Sequence, residues 1–231
     1  MPKIRRLLHF FVVTIFLSLG AGQTAQAILP LDTAPRHEHS RLSKPHFESA
    51  SPEDREFLIL FAVRSNDIYH TRTASEEVAR MVFDIPDSTF NTGFVEVLKL
   101  DQEIVGFFSL AIHENEKQER IYKLEHLFVK AGLQGKGYGT RLFQRVVEIA
   151  GRERWKRLEW ISDPDATGFY LKMGATIIDY CENLLNPGVD VPIFEYDTTA
   201  TRDEALATIC QRLPEMHEHL LNAELLAIIG Q

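Results

Sequence analysis

The chain has 231 residues, 45% of them hydrophobic, with 15 Phe and a net charge of −8, enough apolar material for one core of domain size. Lys3, Arg5 and Arg6 sit at the N-terminus with no acid beside them, so the body is more acidic than the chain as a whole. That balance excludes a basic footprint for wrapping nucleic acid and favours a neutral or cationic partner.

The first 27 residues read as a leader. "MPKIRR" is a basic start, "LLHFFVVTIFLSLGAG" is an apolar run broken only by His9, Thr14 and Ser18, and Ala25-Gln26-Ala27 is a small-x-small cleavage site. This is the pattern of a secretory signal peptide lying outside the fold, with an uncleaved membrane anchor as the alternative. The run is shorter than the ~20 apolar residues a spanning helix needs, which favours cleavage. Residues 28–44 are polar, broken by Pro30 and Pro35 and followed by Pro45, and read as a linker. His37, His39 and His46 have no other ligands at metal spacing, so no metal site is expected. Two cysteines, Cys181 and Cys210, are too few for a disulfide framework and read as small buried hydrophobes.

The body begins near residue 45. "HFESAS" is a short strand, and Ser51 precedes a helix with Pro52 at its first position, Glu53 and Asp54 in its first turn and an end near Val63. Ser75 starts a second helix over Glu76 to Phe83. "FVEVLKL" and "EIVGFFSLAI" are strands joined by "DQ", and "IYKLEHLFV" is a third. Strict alternation along that third strand puts Glu125, Leu127 and Val129 on one face and His126 and Phe128 on the other. After the glycines of "LQGKGYGTRLF", Leu142, Phe143, Val146, Val147 and Ala150 form a helical stripe, ended by Gly151. "RLEWIS" is a strand. Asp163 and Pro164 start a short helix that ends at Gly174, and "ATIIDYC" and "VPIFEYD" are two more strands. Helices over residues 202–213 and 215–229, parted by Pro214, form a C-terminal extension over 198–231. The predicted fold is mixed α/β, a sheet with helices on it.

In that order the glycines follow a strand and open a helix, where unpaired backbone N–H groups and the positive helix end suit an anion. The stretch is neither the P-loop nor G-x-G-x-x-G, and alone it would be only a turn. It is not alone. "LEHLFVKAGLQGKGYGTRLF" followed by "DPDATGFYLKMGA" resembles the GNAT acyltransferase superfamily, through its Gln/Arg-x-x-Gly-x-Gly/Ala loop and its downstream Phe-Tyr segment. The resemblance spans about residues 45–197.

It implies a central, mostly antiparallel sheet flanked by helices, and acetyl transfer from acetyl-CoA, or another acyl-CoA, to an amine without a metal. The backbone N–H groups of Gln134, Gly135, Lys136, Gly137, Tyr138, Gly139 and Thr140 would hold the pyrophosphate. Leu127, Phe128 and Val129 would meet the pantetheine arm and acyl carbonyl. Asp163 and Asp165 fall where the family often has Asn, and an Asp carboxylate accepts a hydrogen bond but does not donate one. Tyr170 would protonate the leaving CoA thiolate. The base is open among Glu125, His126 and the His113-Glu114 pair, with Glu125 the first choice. The acceptor is open too, a small molecule or protein whose amine the acidic body would favour as a cation. The same fold could instead serve as a non-catalytic acyl-CoA-binding module or an interaction protein. Export would separate the protein from cytosolic acyl-CoA.

Overall fold

The computed structural model describes residues 12–13, 44–67, 75–115, 117–200 and 204. The described residues form five helices and eight strands, in the expected order except for a two-residue strand in the leader and a one-turn helix at Asp87–Asn91. β1 is Val12–Val13 and β2 His46–Ser49. A 3-10 turn at Pro52–Asp54 leads into α1, Arg55–Asp67, and α2 is Glu76–Val82, α3 Asp87–Asn91. Then come β3 Val95–Leu100, β4 Glu103–Glu114, β5 Arg120–Val129, α4 Tyr138–Arg152 and β6 Arg157–Ser162. A second 3-10 turn, Pro164–Ala166, opens α5, Thr167–Lys172, and the hairpin of β7 Thr176–Glu182 and β8 Asp190–Asp197 closes the described fold.

The helix starts follow local chemistry. Ser75 accepts a hydrogen bond from the Val78 N–H at 3.3 Å and caps α2. At α1 the roles are reversed: the Asp54 carboxylate accepts from both the Ser51 N–H (2.8 Å) and the Ser51 hydroxyl (3.1 Å). Helix α3 was not expected from the sequence; it is a single turn started by Pro86 and Asp87, too short to show an apolar period.

The strands run β2-β3-β4-β5-β6-β8-β7, with β1 attached separately to β6. All pairs along that path are antiparallel except β5–β6, which is parallel. Two cores lie on the two faces. On one, Leu124, Leu127 and Val129 of β5 pack with Leu142, Phe143, Val146 and Ile149 of α4 and Phe169 and Tyr170 of α5. On the other, Phe107 and Phe128 pack with Leu58, Ala62, Phe83 and Ile85 of the α1–α2 layer.

Helix α4 is held to the sheet by a bidentate ion pair, Arg145 to Glu96 at 2.8 and 3.0 Å. Gly106 lets it approach: a Cβ there would lie 2.7 Å from the Phe128 carbonyl oxygen and 2.8 Å from Leu142 Cδ1. The helix does not stop at Gly151. It runs to Arg152, and Arg154 takes the left-handed position (φ 59°) while the Trp155 N–H returns to the Ala150 carbonyl at 2.9 Å. That is a Schellman end with Arg in place of the usual Gly. Gly151, φ unremarkable and nothing near its Cβ position, is an ordinary helical residue.

The segment read as a leader outside the fold contributes a strand to it. Val12 and Val13 run parallel to β6 opposite Ile161 and Ser162. The expected helices over 202–213 and 215–229, the cysteine Cys210 and the linker histidines His37 and His39 lie outside the described residues. Cys181 is half-buried, and burial, with Asp179 and Asp190 nearby, pushes its thiol up to about 11.

Candidate active site

Two irregularities in the sheet build the site. The first is a bulge. Ser109 of β4 faces His126, but the next residue, Leu110, faces Leu124, so Glu125 is the extra residue on β5. Leu124 and Leu127 both enter the α4 core, while His126 and Phe128 enter the α1–α2 core. Glu125 therefore leaves the face of Leu127 and Val129, where strict alternation put it, and joins the His126 face. There its Oε1 lies 2.7 Å from His113 Nε2. Glu125 is 2% exposed, and its Oε2 has no hydrogen-bond partner among the described residues. Sequence reasoning singled out both residues but did not pair them, because a one-residue bulge leaves no mark on an apolar alternation.

The second irregularity is a parting of strands. β5 and β6 are in register only at Lys123 and Glu159. Beyond that point β5 keeps β4 on one edge, and β6 is no longer its partner on the other. The separation is where an extended ligand arm fits, since strand edges that lack a partner offer N–H and C=O groups. Val12–Val13 runs beside β6 at this place.

The residues expected at the gap divide by backbone direction. Lys130 donates to Val105 at 2.9 Å, and the Phe128 carbonyl lies beside Gly106, so Phe128 turns its backbone toward β4. Its ring stacks on Phe107 with centroids 5.7 Å apart. Phe128 thus builds the core instead of the gap. Leu127 and Val129 point their backbone the other way. The Val129 carbonyl already accepts from Gln134 Nε2 at 3.2 Å, and Gln134 Oε1 accepts from the Gly132 N–H at 2.8 Å. Gln134 is consequently a strap across the turn, fixing it from its side chain.

The glycine turn has the form an anion cradle needs. Gly132, Gly135 and Gly137 all have positive φ, at 77°, 74° and 85°. Gly137 is the residue before α4, and Arg141 donates to its carbonyl at 3.1 Å. The N–H groups of the first turn, Tyr138, Gly139 and Thr140, have no acceptor within the helix. Gly135, Lys136 and Gly137 are exposed, and nothing lies within 4 Å of a Cβ placed on Gly137, so the mouth of the cradle is open.

At the far side of the gap stands Tyr170, on α5. It is fully buried among Phe143, Trp160, Phe169 and Phe194, with ring centroids at 5.8, 4.9, 5.0 and 5.2 Å. Its hydroxyl makes no well-formed hydrogen bond. Burial raises its pKa well above 10.0, and the Ser162 hydroxyl beside it offsets only part of that. Ser162 is the β6 residue opposite Val13, which places the phenol by the gap.

The flanking acids differ. Asp163 is buried; its carboxylate accepts from the Asp165 N–H at 3.0 Å, and desolvation pushes it up to about 6. Asp165 is exposed. His126 is fully buried, with Nδ1 2.6 Å from the Ser109 hydroxyl, and desolvation pushes it down to about 4. That makes it a weak base at neutral pH, which disfavours it among the open choices. A separate cleft of about 700 Å³ runs along α1, lined by Phe57, Phe61, Arg64, Gln102, Glu103 and Lys130. It reaches the start of the glycine turn but none of Tyr170, Glu125 or His113.

The comparisons with known proteins agree with this arrangement. The fold is similar to an acetyltransferase of the GNAT family from Staphylococcus aureus Mu50, with TM-score 0.54 and 16% identity over 68% of this chain and 100% of that one. It is similar to a GCN5-related N-acetyltransferase from Rhodopseudomonas palustris, with TM-score 0.53 and 18% identity over 69% of this chain and 99% of that one. It is also similar to the PaiA N-acetyltransferase of Thermoplasma acidophilum, whose structure is a complex with coenzyme A, with TM-score 0.50 and 20% identity over 67% and 99%. The model of the acetyltransferase (GNAT) family matches residues 56–175, from the start of α1 to the end of α5 and through every element that frames the gap. The chain belongs to the acetyltransferase (GNAT) family.

Proposed function

We propose that the protein transfers an acetyl group from acetyl-CoA to a primary amine. The observation that carries this reading is the placement of two buried polar groups on opposite faces of the parted strands. The Tyr170 hydroxyl belongs to the α4–α5 face, with only the Ser162 hydroxyl beside it and no well-formed hydrogen bond, and the Glu125 carboxylate belongs to the α1–α2 face, with its Oε2 lacking a partner among the described residues. Unpaired buried oxygens are costly in a folded protein unless a ligand completes them.

The residues fit acetyl-CoA as substrate. The first turn of α4 and the exposed backbone of Gly135 to Gly137 would hold the pyrophosphate, with Lys136 as a nearby point charge. The gap edge of β5 at Leu127 would pair with the pantetheine arm, and its N–H would polarise the thioester carbonyl. Val129 has only its N–H left for this, since Gln134 holds the carbonyl. Asp163, already accepting from Asp165, could accept from the arm as well.

Tyr170 stays a phenol at every working pH, because burial holds its proton on. It therefore donates a hydrogen bond to the sulfur as negative charge builds there, and gives up the proton as the thiolate forms. The Glu125 carboxylate takes a proton from the bound ammonium on the other face, freeing the lone pair of the amine that then attacks the thioester carbonyl. The acceptor would approach across the α1–α2 layer, where Glu125, Glu159 and Lys123 leave a net negative charge that suits a cationic amine.

The leader supports export with cleavage after Ala27, and Val12–Val13 would then be absent from the mature gap. The experiment for the activity is thiol release from acetyl-CoA in the presence of spermidine, glucosamine or Nα-acetyl-lysine. Amine-dependent release that falls in Tyr170→Phe supports transfer, and acetyl-CoA binding without release for any amine supports a binding module instead.

A further inference from the structure

The mechanism above uses Glu125 and leaves its partner unexplained. We propose that His113 is a positioning residue: it holds the Glu125 carboxylate by Oε1, so that Oε2 docks a protonated primary amine and then takes its proton. The inference rests on the transferase reading and deepens it.

Three observations converge. A bulge residue has no fixed side-chain direction from the pleat, so Glu125 needs an external tether, and His113 Nε2 supplies one at 2.7 Å from the neighbouring strand. The tether occupies only one oxygen, and the other is buried and unpaired. Finally, His113 sits at the outer part of β4 with a side chain 20% exposed, while that of Glu125 is 2% exposed, so the ring bridges the buried carboxylate to the surface. A buried carboxylate held by a donor on one oxygen keeps its charge more readily than one held by nothing. It presents the free oxygen to a cation and excludes acceptors that carry no proton to give.

Two titratable neighbours on β5, Lys123 and His126, interact with Glu125; Lys123 is also influenced by Glu159 of β6 and Cys181 of β7, and His126 by Asp84, between α2 and α3. Lys123 is buried, with its pKa lowered by desolvation and held up by Glu159 and Glu125.

The test uses the full chain, acetyl-CoA and whichever of spermidine, glucosamine and Nα-acetyl-lysine the wild type acetylates fastest. His113→Leu should lower kcat by about 10²-fold, the size of a misplaced reacting group, with unchanged acetyl-CoA affinity by calorimetry. The KM for the amine should rise several-fold, because a carboxylate free to turn no longer presents Oε2 to the ammonium. His113→Gln, which keeps an N–H donor, should restore both kcat and KM. A loss of rate that leaves the amine KM unchanged and that His113→Gln does not restore marks a purely structural histidine, and that result overturns the assignment. So does an unchanged rate in His113→Leu while Tyr170→Phe remains slow, which leaves the transferase reading standing. No amine-dependent turnover by the wild type overturns both.

Discussion

Lys123 of β5 and Glu159 of β6 are the last residues at which these two parallel strands meet. Beyond that pair β6 carries Val12–Val13 at Ile161 and Ser162, in the place the proposed ligand arm would take.

On the proposed reading the leader strand and acetyl-CoA compete for this place. Removing residues 1–27 frees the β6 edge, and acetyl-CoA should bind the shortened chain about tenfold tighter or more, ~1.4 kcal/mol. Calorimetry on the full and shortened chains measures it. Equal affinities would mean that Val12–Val13 does not obstruct the gap.

Gly106 is a second point where backbone alone fits. An alanine Cβ would press on the Phe128 carbonyl at 2.7 Å and on Leu142 at 2.8 Å. Leu142 has some freedom, but the carbonyl belongs to the β5 backbone that shapes the gap. Gly106→Ala should cost about 1–3 kcal/mol in urea unfolding, the usual price of overpacking. A change below a few tenths would show that α4 can lift without penalty.

Tyr170→Phe removes one oxygen that makes no well-formed hydrogen bond. Packing should not change, and the melting temperature should stay or rise slightly. Turnover should fall by ~10²–10⁴-fold with acetyl-CoA affinity nearly constant. A variant that melts, binds and turns over as wild type would remove the phenol from the chemistry.

Much of this was legible in the sequence, for physical reasons that also explain the gaps. The order of strands and helices followed from apolar periods and from caps at Ser75 and Asp163, which are local signals. Tyr170 and the glycine turn could be placed because their segments match a family pattern of fixed spacing. The side of the sheet that Glu125 occupies could not, since the bulge that turns it depends on pairing with β4. Nor could the end of α4, where Arg154 adopts a conformation that sequence rules reserve for Gly. Phe128, singled out for the cofactor, proved to face β4 for a related reason: backbone direction along a strand alternates, and only the partner's register fixes which residues look outward.

Two buried groups make acid stability informative. Asp163 in the folded chain holds its proton up to about pH 6, against 3.8 ordinarily, so its contribution is complete below 3.8 and is lost as pH rises through 6. His126 is held down to about 4 against 6.5, so its contribution is complete above 6.5 and is lost as pH falls through 4. The two slopes oppose each other over nearly the same window, each worth about 3 kcal/mol. Asp163→Asn keeps an acceptor for the Asp165 N–H but removes one slope. Urea unfolding of this variant should lose ~3 kcal/mol more between pH 6.5 and 4 than the wild type does. Identical slopes would show that Asp163 does not retain its proton in the fold.

The central claim is that acetyl-CoA is held by the turn before α4, and calorimetry of acetyl-CoA with Gly137 variants tests it most directly. Gly137 has φ 85° and open space around its Cβ position, so Gly137→Ala carries a backbone cost of ~1–2 kcal/mol of stability and Gly137→Asp no more, since Asp tolerates the left-handed region better. Weaker binding in Gly137→Asp than in Gly137→Ala is then due to the charged side chain set at the mouth of the cradle. The account predicts one-to-one binding by the wild type, modest weakening in Gly137→Ala and loss in Gly137→Asp, with both variants folded by circular dichroism. Equal affinity in the wild type and Gly137→Asp, or no binding by the wild type at all, would contradict it.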